Sequence, residues 1–225
     1  MRPSSPDELR IVERRETPRG EWVLRERRAP DGVVFEVIAN GTFLMDSREA
    51  ASERALADLA LGERRGAHVL VAGLGLGFTL RACLAHAPSH VEVVELEPAL
   101  VDWVRGPVAA VLGDPLEGVA VTIGDVWDAL ADRRARFDAV LLDTDNGPSW
   151  LVHDDNARLY EDDGLERAAA ALRPGGVLAI WAAATEPALL GRMDRRLARA
   201  REERVEVTRE GRHLDYFLYL AEAPG

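Results

Sequence analysis

The first part of the chain alternates apolar and polar residues with the two-residue period of β-strands. Such runs occupy residues 21–28 and 33–39, and a third, residues 42–45, follows the strong hairpin signal Asn40-Gly41. The pattern predicts a small antiparallel sheet of three or four strands within residues 8–45.

A helical segment follows this sheet. Asp46 and Glu49 have the three-residue spacing of a capping box, with Asp46 as the N-cap, and residues 50–61 have helical composition. The change of pattern predicts two domains, a small N-terminal β-domain over residues 1–46 and an α/β domain over residues 47–225.

From residue 68 onward, short apolar runs alternate with helical stretches. The predicted strands are residues 68–72, 91–95, 119–122, 138–142, 176–181, 204–208 and 214–220. The predicted helices are residues 78–86, 99–111, 127–133, 164–172 and 187–201. Apolar strands that alternate with helices are typical of a doubly wound α/β fold with a mostly parallel sheet, here of seven strands. The last two strands are adjacent in sequence, so they predict a terminal antiparallel hairpin.

Composition narrows the class of protein. The 225 residues are 47% hydrophobic and 30% charged, which suits a globular protein with a packed core, and no run is long enough for a membrane span. Cys83 is the single cysteine and no secretory signal is visible, so a cytoplasmic protein is predicted. The net charge of −11 argues against a nucleic-acid partner and favours a cationic or neutral small molecule. The histidines have no metal-ligand spacing, so no metal is expected.

A glycine-rich turn follows the first strand of the α/β region. Gly73, Gly75 and Gly77 form a G-x-G-x-G pattern between strand and helix, where the backbone must turn sharply and let a ligand approach. The dinucleotide fingerprint requires glycine at the position of Phe78, so a nucleoside without a pyrophosphate fits better than NAD. The three glycines are therefore predicted to bind a nucleoside cofactor.

Acidic residues end the next two strands. Glu95 lies 22 residues after Gly73, at a position where a carboxylate can accept both ribose hydroxyls. Asp125 ends the third strand, where it can bind the adenine amine or cap the following helix, and the sequence leaves both roles open.

The fourth strand runs into an acidic turn that carries Asp143 and Asp145. Two such carboxylates can bind an amine and accept its proton, which makes both residues catalytic candidates and Asp145 a substrate ligand as well. Trp150 and Tyr160 flank the following polar loop, and aromatic rings beside carboxylates suit an organic cation. A solvated acidic loop with core aromatics is the alternative.

In these motifs the chain resembles the spermidine synthase family, which has the class I S-adenosylmethionine-dependent methyltransferase fold preceded by a small β-domain. The resemblance extends over nearly the whole chain. It implies that Glu95 binds the ribose, Asp125 the adenine, and that Asp143 deprotonates the attacking amine of a polyamine substrate. The implied cofactor is decarboxylated S-adenosylmethionine. A homodimer formed through an edge of the N-terminal sheet is compatible with the resemblance.

The chain departs from this family at the amine-binding positions. Leu76 stands where the family has an aspartate that holds the aminopropyl amine, and the loop after Asp143 is shorter. The family's substrate-binding residues near the N-terminus align with Leu44 and Glu53-Arg54. Three functions remain open: an aminopropyltransferase, a small-molecule methyltransferase that uses intact S-adenosylmethionine with an arginine such as Arg54 on its carboxylate, and a non-catalytic nucleoside-binding module.

Overall fold

The computed structural model describes residues 9–30, 32–144, 146–151, 153–209 and 212–225, without the side chains of residues 154, 209 and 212. Its first four strands form an antiparallel sheet in the order β1-β2-β3-β4. Their bounds are β1 Leu9–Thr17, β2 Gly20–Ala29, β3 Gly32–Ala39 and β4 Thr42–Asp46. Asn40 and Gly41 both have positive φ, as the predicted hairpin turn between β3 and β4 requires.

The remaining seven strands form one sheet in the order β10-β11-β9-β8-β5-β6-β7. Their bounds are β5 His68–Ala72, β6 His90–Glu95, β7 Ala120–Ile123, β8 Phe137–Leu142, β9 Leu172–Ala182, β10 Ala198–Arg209 and β11 Arg212–Glu222. Strands β5 to β9 are parallel, and β11 pairs antiparallel with both β9 and β10. The predicted doubly wound sheet with a terminal hairpin is confirmed, and it is the class I methyltransferase-like fold.

Helices cover both faces of this sheet. They are α1 Ala51–Leu61, α2 Phe78–Ala85, α3 Pro98–Arg105, α4 Ala109–Leu112, α5 Val126–Ala131, α6 Asp162–Ala171 and α7 Pro187–Arg196, with a 3₁₀ helix at Asp154–Leu159. One apolar core lies on each face of the sheet. A third core joins the N-terminal sheet to the α/β region, because Trp22 and Phe35 pack with Leu76 and with Trp103 of α3. The β-domain boundary at residue 46 stays a prediction, although β4 ends there.

The start of α1 differs from the predicted capping box. Asp46 is the last residue of β4, and Ala50 occupies the N-cap position without a side-chain bond. The carboxylate of Glu49 instead accepts hydrogen bonds from the backbone N–H groups of Ala50 and Ala51, at 2.9 and 2.7 Å. Glu49 therefore satisfies the free amides of this helix from outside its first turn.

Two predicted helices are too long. The helix predicted over residues 99–111 is broken into α3 and α4 at Gly106-Pro107, because the proline has no N–H to continue the hydrogen bonds. The helix predicted over residues 187–201 ends at Arg196, because the chain from Ala198 pairs with β11 as an edge strand. None of the described helices is long and apolar enough to cross a membrane.

Candidate functional site

A cavity of about 360 Å³ lies at the carboxyl ends of β5, β6 and β8. This is the edge of the sheet at which α/β proteins of this topology bind ligands. The glycine turn after β5 forms its floor, α1 and β4 form one wall, and the segment after β8 forms the other. Of the predicted site residues, Gly73, Gly75, Glu95, Asp125 and Asp143 all line this cavity.

The glycine turn brings β5 against β8. Gly73 has φ +89°, and a Cβ atom at this position would lie 2.1 Å from the backbone carbonyl oxygen of Asp143. Gly75, with φ +51°, would place a Cβ atom 2.7 Å from the methyl carbon of Met45 in the N-terminal sheet. Gly77 begins α2 and lies outside the cavity lining, so its predicted cofactor contact has no support from this geometry.

Glu95 holds the turn in place. Its two carboxylate oxygens accept hydrogen bonds from the backbone N–H groups of Leu74 and Glu97, each at 2.7 Å. Burial raises the pKa of this carboxyl above its usual range, and the nearby charge of Glu97 adds to the rise, while the backbone bonds oppose it. Glu95 thus anchors the floor of the cavity and presents buried carboxylate oxygens beside it, where the ribose is predicted.

Asp125 has the capping role that the sequence left open. One oxygen accepts a hydrogen bond from the backbone N–H of Trp127 at 2.8 Å, which caps α5, and the other forms an ion pair with Arg158. Arg158 and Arg167 both stack on the ring of Trp127, with guanidinium carbons 4.9 and 4.0 Å from its centroid. The carboxylate is therefore fixed at the cavity wall, and adenine binding by Asp125 stays a prediction.

Asp143 follows β8 directly and faces the cavity. Its Oδ2 accepts a hydrogen bond from the hydroxyl of Thr79 on α2 at 2.5 Å. Burial raises the pKa of Asp143 to about 7, with further increases from the charges of Glu53 and Glu95, and the Thr79 bond opposes them. A carboxyl with this pKa can accept a proton near neutral pH and release it again.

The cavity is strongly acidic. Among the described residues, seven carboxylates line it: Asp46, Glu49, Glu53, Glu95, Glu97, Asp125 and Asp143. Arg54 lies within 4.0 Å of Glu49, Arg19 of Glu97 and Arg158 of Asp125.

By contrast, three of these carboxylates form no ion pair with a described residue, although the charge of Arg54 opposes the rise that burial gives to the pKa of one of them, Glu53. Glu53, Glu95 and Asp143 have no ion pair with any described residue, and none of the described residues lining the cavity is an arginine. Glu95 is buried and Glu53 and Asp143 are half-buried, and carboxylates removed from water without an ion pair are costly, so the cavity is suited to a cationic ligand.

The predicted aromatic ligands lie elsewhere. The side chain of Trp150 is 65% exposed and does not line the cavity, because it projects from the turn after β8 into solvent. Tyr160 is buried outside the lining, where its hydroxyl donates to the backbone oxygen of Thr144 at 2.6 Å. Tyr160 therefore positions the segment after Asp143, and the predicted direct substrate contacts of these two residues have no support. Asp145 lies outside the described residues, so its predicted role is untested.

The aromatic walls of the cavity come instead from residues outside the predicted motifs. Trp22 of β2 and Trp181 of β9 are buried and line the cavity, together with Phe43, Phe78 and Tyr216. The Nε1 atoms of Trp22 and Trp181 are buried and have no hydrogen-bond acceptor among the described residues.

Sequence reasoning missed several further contributors. In the sequence, Glu53 stands out only as a position aligned with a family motif, and no motif contains Thr79. Both lie beside Asp143 because α1 and α2 pack together over the end of β8. Thr79 follows Gly77 by two residues, and this short separation from the glycine turn is the feature of the sequence that indicates a place near the cavity.

Comparison with known proteins finds matches among solved structures. No family model matches the sequence, and no curated protein matches it. A spermidine synthase in complex with the transition-state analogue AdoDATO matches with a TM-score of 0.75 and 18% identity, over 95% of this chain and 74% of that chain. Spermidine synthase from Thermotoga maritima gives a TM-score of 0.74 and 19% identity, over 95% and 73%.

A methyltransferase also matches. The 1,6-didemethyltoxoflavin-N1-methyltransferase of Burkholderia thailandensis, with bound 1,6-didemethyltoxoflavin and S-adenosylhomocysteine, gives a TM-score of 0.56 and 24% identity, over 79% of this chain and 80% of that chain. The likeness to the spermidine synthases extends over the N-terminal sheet as well as the α/β region, since it spans 95% of this chain.

Proposed function

We propose that this chain, which has the fold of the spermidine synthases, is a transferase. It would move an aminopropyl group from decarboxylated S-adenosylmethionine to a small cationic amine. The observation that carries this proposal is the acidic cavity at the carboxyl edge of the sheet. Both substrates are cations, and three of the carboxylates that line the cavity form no ion pair with a described residue. A cytoplasmic location and a homodimer belong to the same proposal.

The same cavity disfavours a methyltransferase. Intact S-adenosylmethionine carries a carboxylate that its decarboxylated form lacks, and this carboxylate would lie among acidic side chains. Arg54, the candidate partner for it, has a side chain that is 62% exposed and lies 4.0 Å from Glu49. Repulsion between the cofactor carboxylate and the cavity therefore favours the decarboxylated nucleoside.

In the proposed reaction, the chain positions the nucleoside and removes one proton. Glu95 and the glycine turn would hold the ribose, and Asp125 would meet the adenine. When bound, the sulfonium nucleoside supplies a carbon attached to a good leaving group, so orientation provides much of the rate. Asp143 accepts a proton from the acceptor ammonium. The neutral amine then bonds to that carbon, the carbon–sulfur bond breaks, and its electron pair goes to sulfur.

The pKa of Asp143 suits this step. An ordinary aspartate is too weak a base at neutral pH. A carboxyl whose pKa is about 7 is still ionised in about half of the molecules at that pH, and its carboxylate binds a proton more strongly. Thr79 donates to one oxygen of this carboxylate, which leaves the other to accept the proton. The hydrogen bond from Thr79 and the raised pKa both support the role proposed for Asp143 as the base.

Calorimetric titration with S-adenosylmethionine and with its decarboxylated form tests the proposal. We expect the decarboxylated form to bind at least about tenfold more tightly, equivalent to about 1.4 kcal/mol. Incubation of that form with 1,4-diaminobutane should then release 5′-methylthioadenosine, measured by chromatography. Tighter binding of the intact cofactor would contradict the aminopropyl assignment and favour methyl transfer. Binding without turnover of any amine would favour the non-catalytic alternative.

A further inference from the structure

The hairpin turn between β1 and β2 contacts the end of the strand that carries Glu95. The guanidinium of Arg19 donates a hydrogen bond to the backbone oxygen of Leu96 at 2.6 Å, and its Nε lies 3.4 Å from Oε2 of Glu97. The hydroxyl of Thr17 donates to the same Oε2 at 3.1 Å. The N-terminal sheet therefore holds the two residues that follow Glu95, although they are far from it in sequence.

These two residues belong to the candidate site. Leu96 and Glu97 line the cavity together with Glu95. The backbone N–H of Glu97 donates to Oε1 of Glu95 at 2.7 Å, and the buried carboxylate of Glu97 accepts a hydrogen bond from the N–H of Ala99 at the start of α3. A displacement of Glu97 would therefore break one of the two backbone hydrogen bonds that orient the Glu95 carboxylate.

The turn that carries Arg19 is itself fixed by the neighbouring hairpin. The side-chain amide of Asn40 donates to the backbone oxygen of Arg19 at 3.2 Å and accepts from the N–H of Glu21 at 3.0 Å. The N–H of Arg19 donates to the hydroxyl oxygen of Thr17 at 3.2 Å. Arg19 thus reaches the strand end from a backbone that is already held in place, as a residue that supports a binding site must be.

Arg19 also supplies the charge that Glu97 needs. The carboxylate of Glu97 is 1% exposed, and its ion pair with Arg19 is the only one that it forms with a described residue. A buried carboxylate that loses its positive partner is strongly destabilised. Without the guanidinium, we expect Glu97 to move toward water and to draw its backbone N–H away from Glu95.

We propose that Arg19, supported by Thr17, is a positioning residue for the nucleoside: it holds the segment after β6 so that Glu95 presents its carboxylate to the ribose. This inference rests on the nucleoside site of the proposed function and adds the turn between β1 and β2 to it. Coupling between binding events is reciprocal, so an occupied ribose site should also stabilise the contact between this turn and β6. The turn then contributes to nucleoside affinity through Glu97 and Glu95.

Calorimetric titration with 5′-methylthioadenosine tests this role. We expect Arg19→Gln to raise the Kd by about tenfold, the lower end of the range for a hydrogen bond to a charged group. Arg19→Lys should raise it less, because lysine keeps the charge but lacks the planar fork of donors. Thr17→Val removes the hydroxyl alone. It should raise the Kd by about threefold, and it tests the same contact if Arg19→Gln does not fold.

Arg15→Gln is the matched control. Arg15 lies on β1 and forms an ion pair with Asp102 of α3, which does not line the cavity. This variant therefore weakens the attachment of the N-terminal sheet to the helix that follows Glu97, without altering the contacts of Glu97 itself. Its Kd should equal that of the wild type. A rise as large as that in Arg19→Gln would overturn the inference, because general docking of the sheet would then explain both.

Hydrogen–deuterium exchange separates positioning from a structural role. Saturation with 5′-methylthioadenosine should slow exchange in residues 17–22 of the wild type, and Arg19→Gln should lose this protection. An ion pair with a structural role alone would leave the exchange of these residues unchanged by the nucleoside. An unchanged Kd in Arg19→Gln, with a wild type that binds the nucleoside, would overturn this inference alone. A wild type that does not bind 5′-methylthioadenosine would overturn the proposed function and this inference with it.

Discussion

Replacing Asp143 by asparagine is expected to reduce kcat for aminopropyl transfer by about 10²- to 10⁴-fold, the usual contribution of a general base. Asparagine is nearly isosteric and can still accept the hydrogen bond from Thr79, which is 2.5 Å long in the wild type. The amide cannot take a proton from the acceptor ammonium, so the attacking amine would stay protonated. The affinity for the nucleoside should change little, because its predicted contacts lie on Glu95, Asp125 and the glycine turn.

The measurement is steady-state release of 5′-methylthioadenosine, combined with calorimetric binding of the same nucleoside. Asp128→Asn, an exposed position on α5, is the matched control because it removes one carboxylate outside the cavity and should leave kcat unchanged. Polyamine synthesis at the wild-type rate by Asp143→Asn would contradict the assignment of this residue as the base.

The same substitution should make the unliganded protein more stable at alkaline pH. The pKa of Asp143 is about 7 in the folded protein and about 4 in an unfolded chain. The folded state therefore holds a proton that the unfolded state releases, and stability contributed by this group is complete below about pH 4 and is lost as pH rises to about 7. Linkage gives an upper bound of about 4 kcal/mol, and partial solvation reduces the expected gain to about 2 kcal/mol.

Urea unfolding of Asp143→Asn and wild type at pH 4 and pH 8 measures this effect. We expect Asp143→Asn to be the more stable protein at pH 8 and the two to converge near pH 4. Equal stability at pH 8 would show that the folded protein does not raise the pKa of Asp143. A stabilised but inactive variant would show that this carboxylate is maintained for chemistry at the expense of folding.

Gly73→Ala is the second substitution with a large expected effect, a destabilisation of about 3–5 kcal/mol together with loss of nucleoside binding. Its Cβ atom would lie 2.1 Å from the carbonyl oxygen of Asp143, and φ at this position is +89°. The obstructing atom is backbone at the end of β8, so relief requires β5 and β8 to separate where the site is formed.

Gly118→Ala is the matched control for backbone strain. Gly118 has φ +73°, but a Cβ atom there would meet no atom within 4 Å. It should cost about 1 kcal/mol from conformation alone. The difference between the two variants in urea unfolding isolates the contribution of the steric clash at Gly73. Similar losses in both would indicate that the end of β8 can move, and that close packing of these two strands is unimportant.

Much of this fold could be predicted from sequence because its strands are short apolar runs bounded by clear turns. The predicted strand at His68–Ala72 is confirmed to the residue, and Asn40-Gly41 marks the hairpin where it occurs. The secondary-structure predictions fail where contacts between residues far apart in sequence outweigh local helix propensity. Residues 198–201 are rich in alanine and arginine, both good helix formers, yet they extend β10 because Ala198 and Arg201 pair with β11 across a register shift.

Part of the site could also be predicted from the sequence, because several of its residues lie at the ends of predicted strands. Gly73, Glu95, Asp125 and Asp143 lie at or within two residues of the end of a strand of one parallel sheet, so topology alone brings them to one edge. Trp22 and Glu53 belong to β2 and α1, and no local pattern reveals that these elements fold over that edge. The same limit explains Trp150, since it follows an acidic turn in the sequence although its ring faces solvent.

The unpaired carboxylates of the cavity also bear on the kinetics of turnover. In the proposed reaction the nucleoside enters with a positively charged sulfur and leaves as a neutral thioether. The decarboxylated nucleoside carries both a sulfonium and an ammonium, so the negative potential of the cavity attracts it and accelerates its association at low ionic strength. The same potential does not attract the neutral thioether product. The potential in this cleft would therefore favour departure of the nucleoside after each cycle, whereas the elongated polyamine, which retains its charges, would dissociate more slowly and inhibit at low salt.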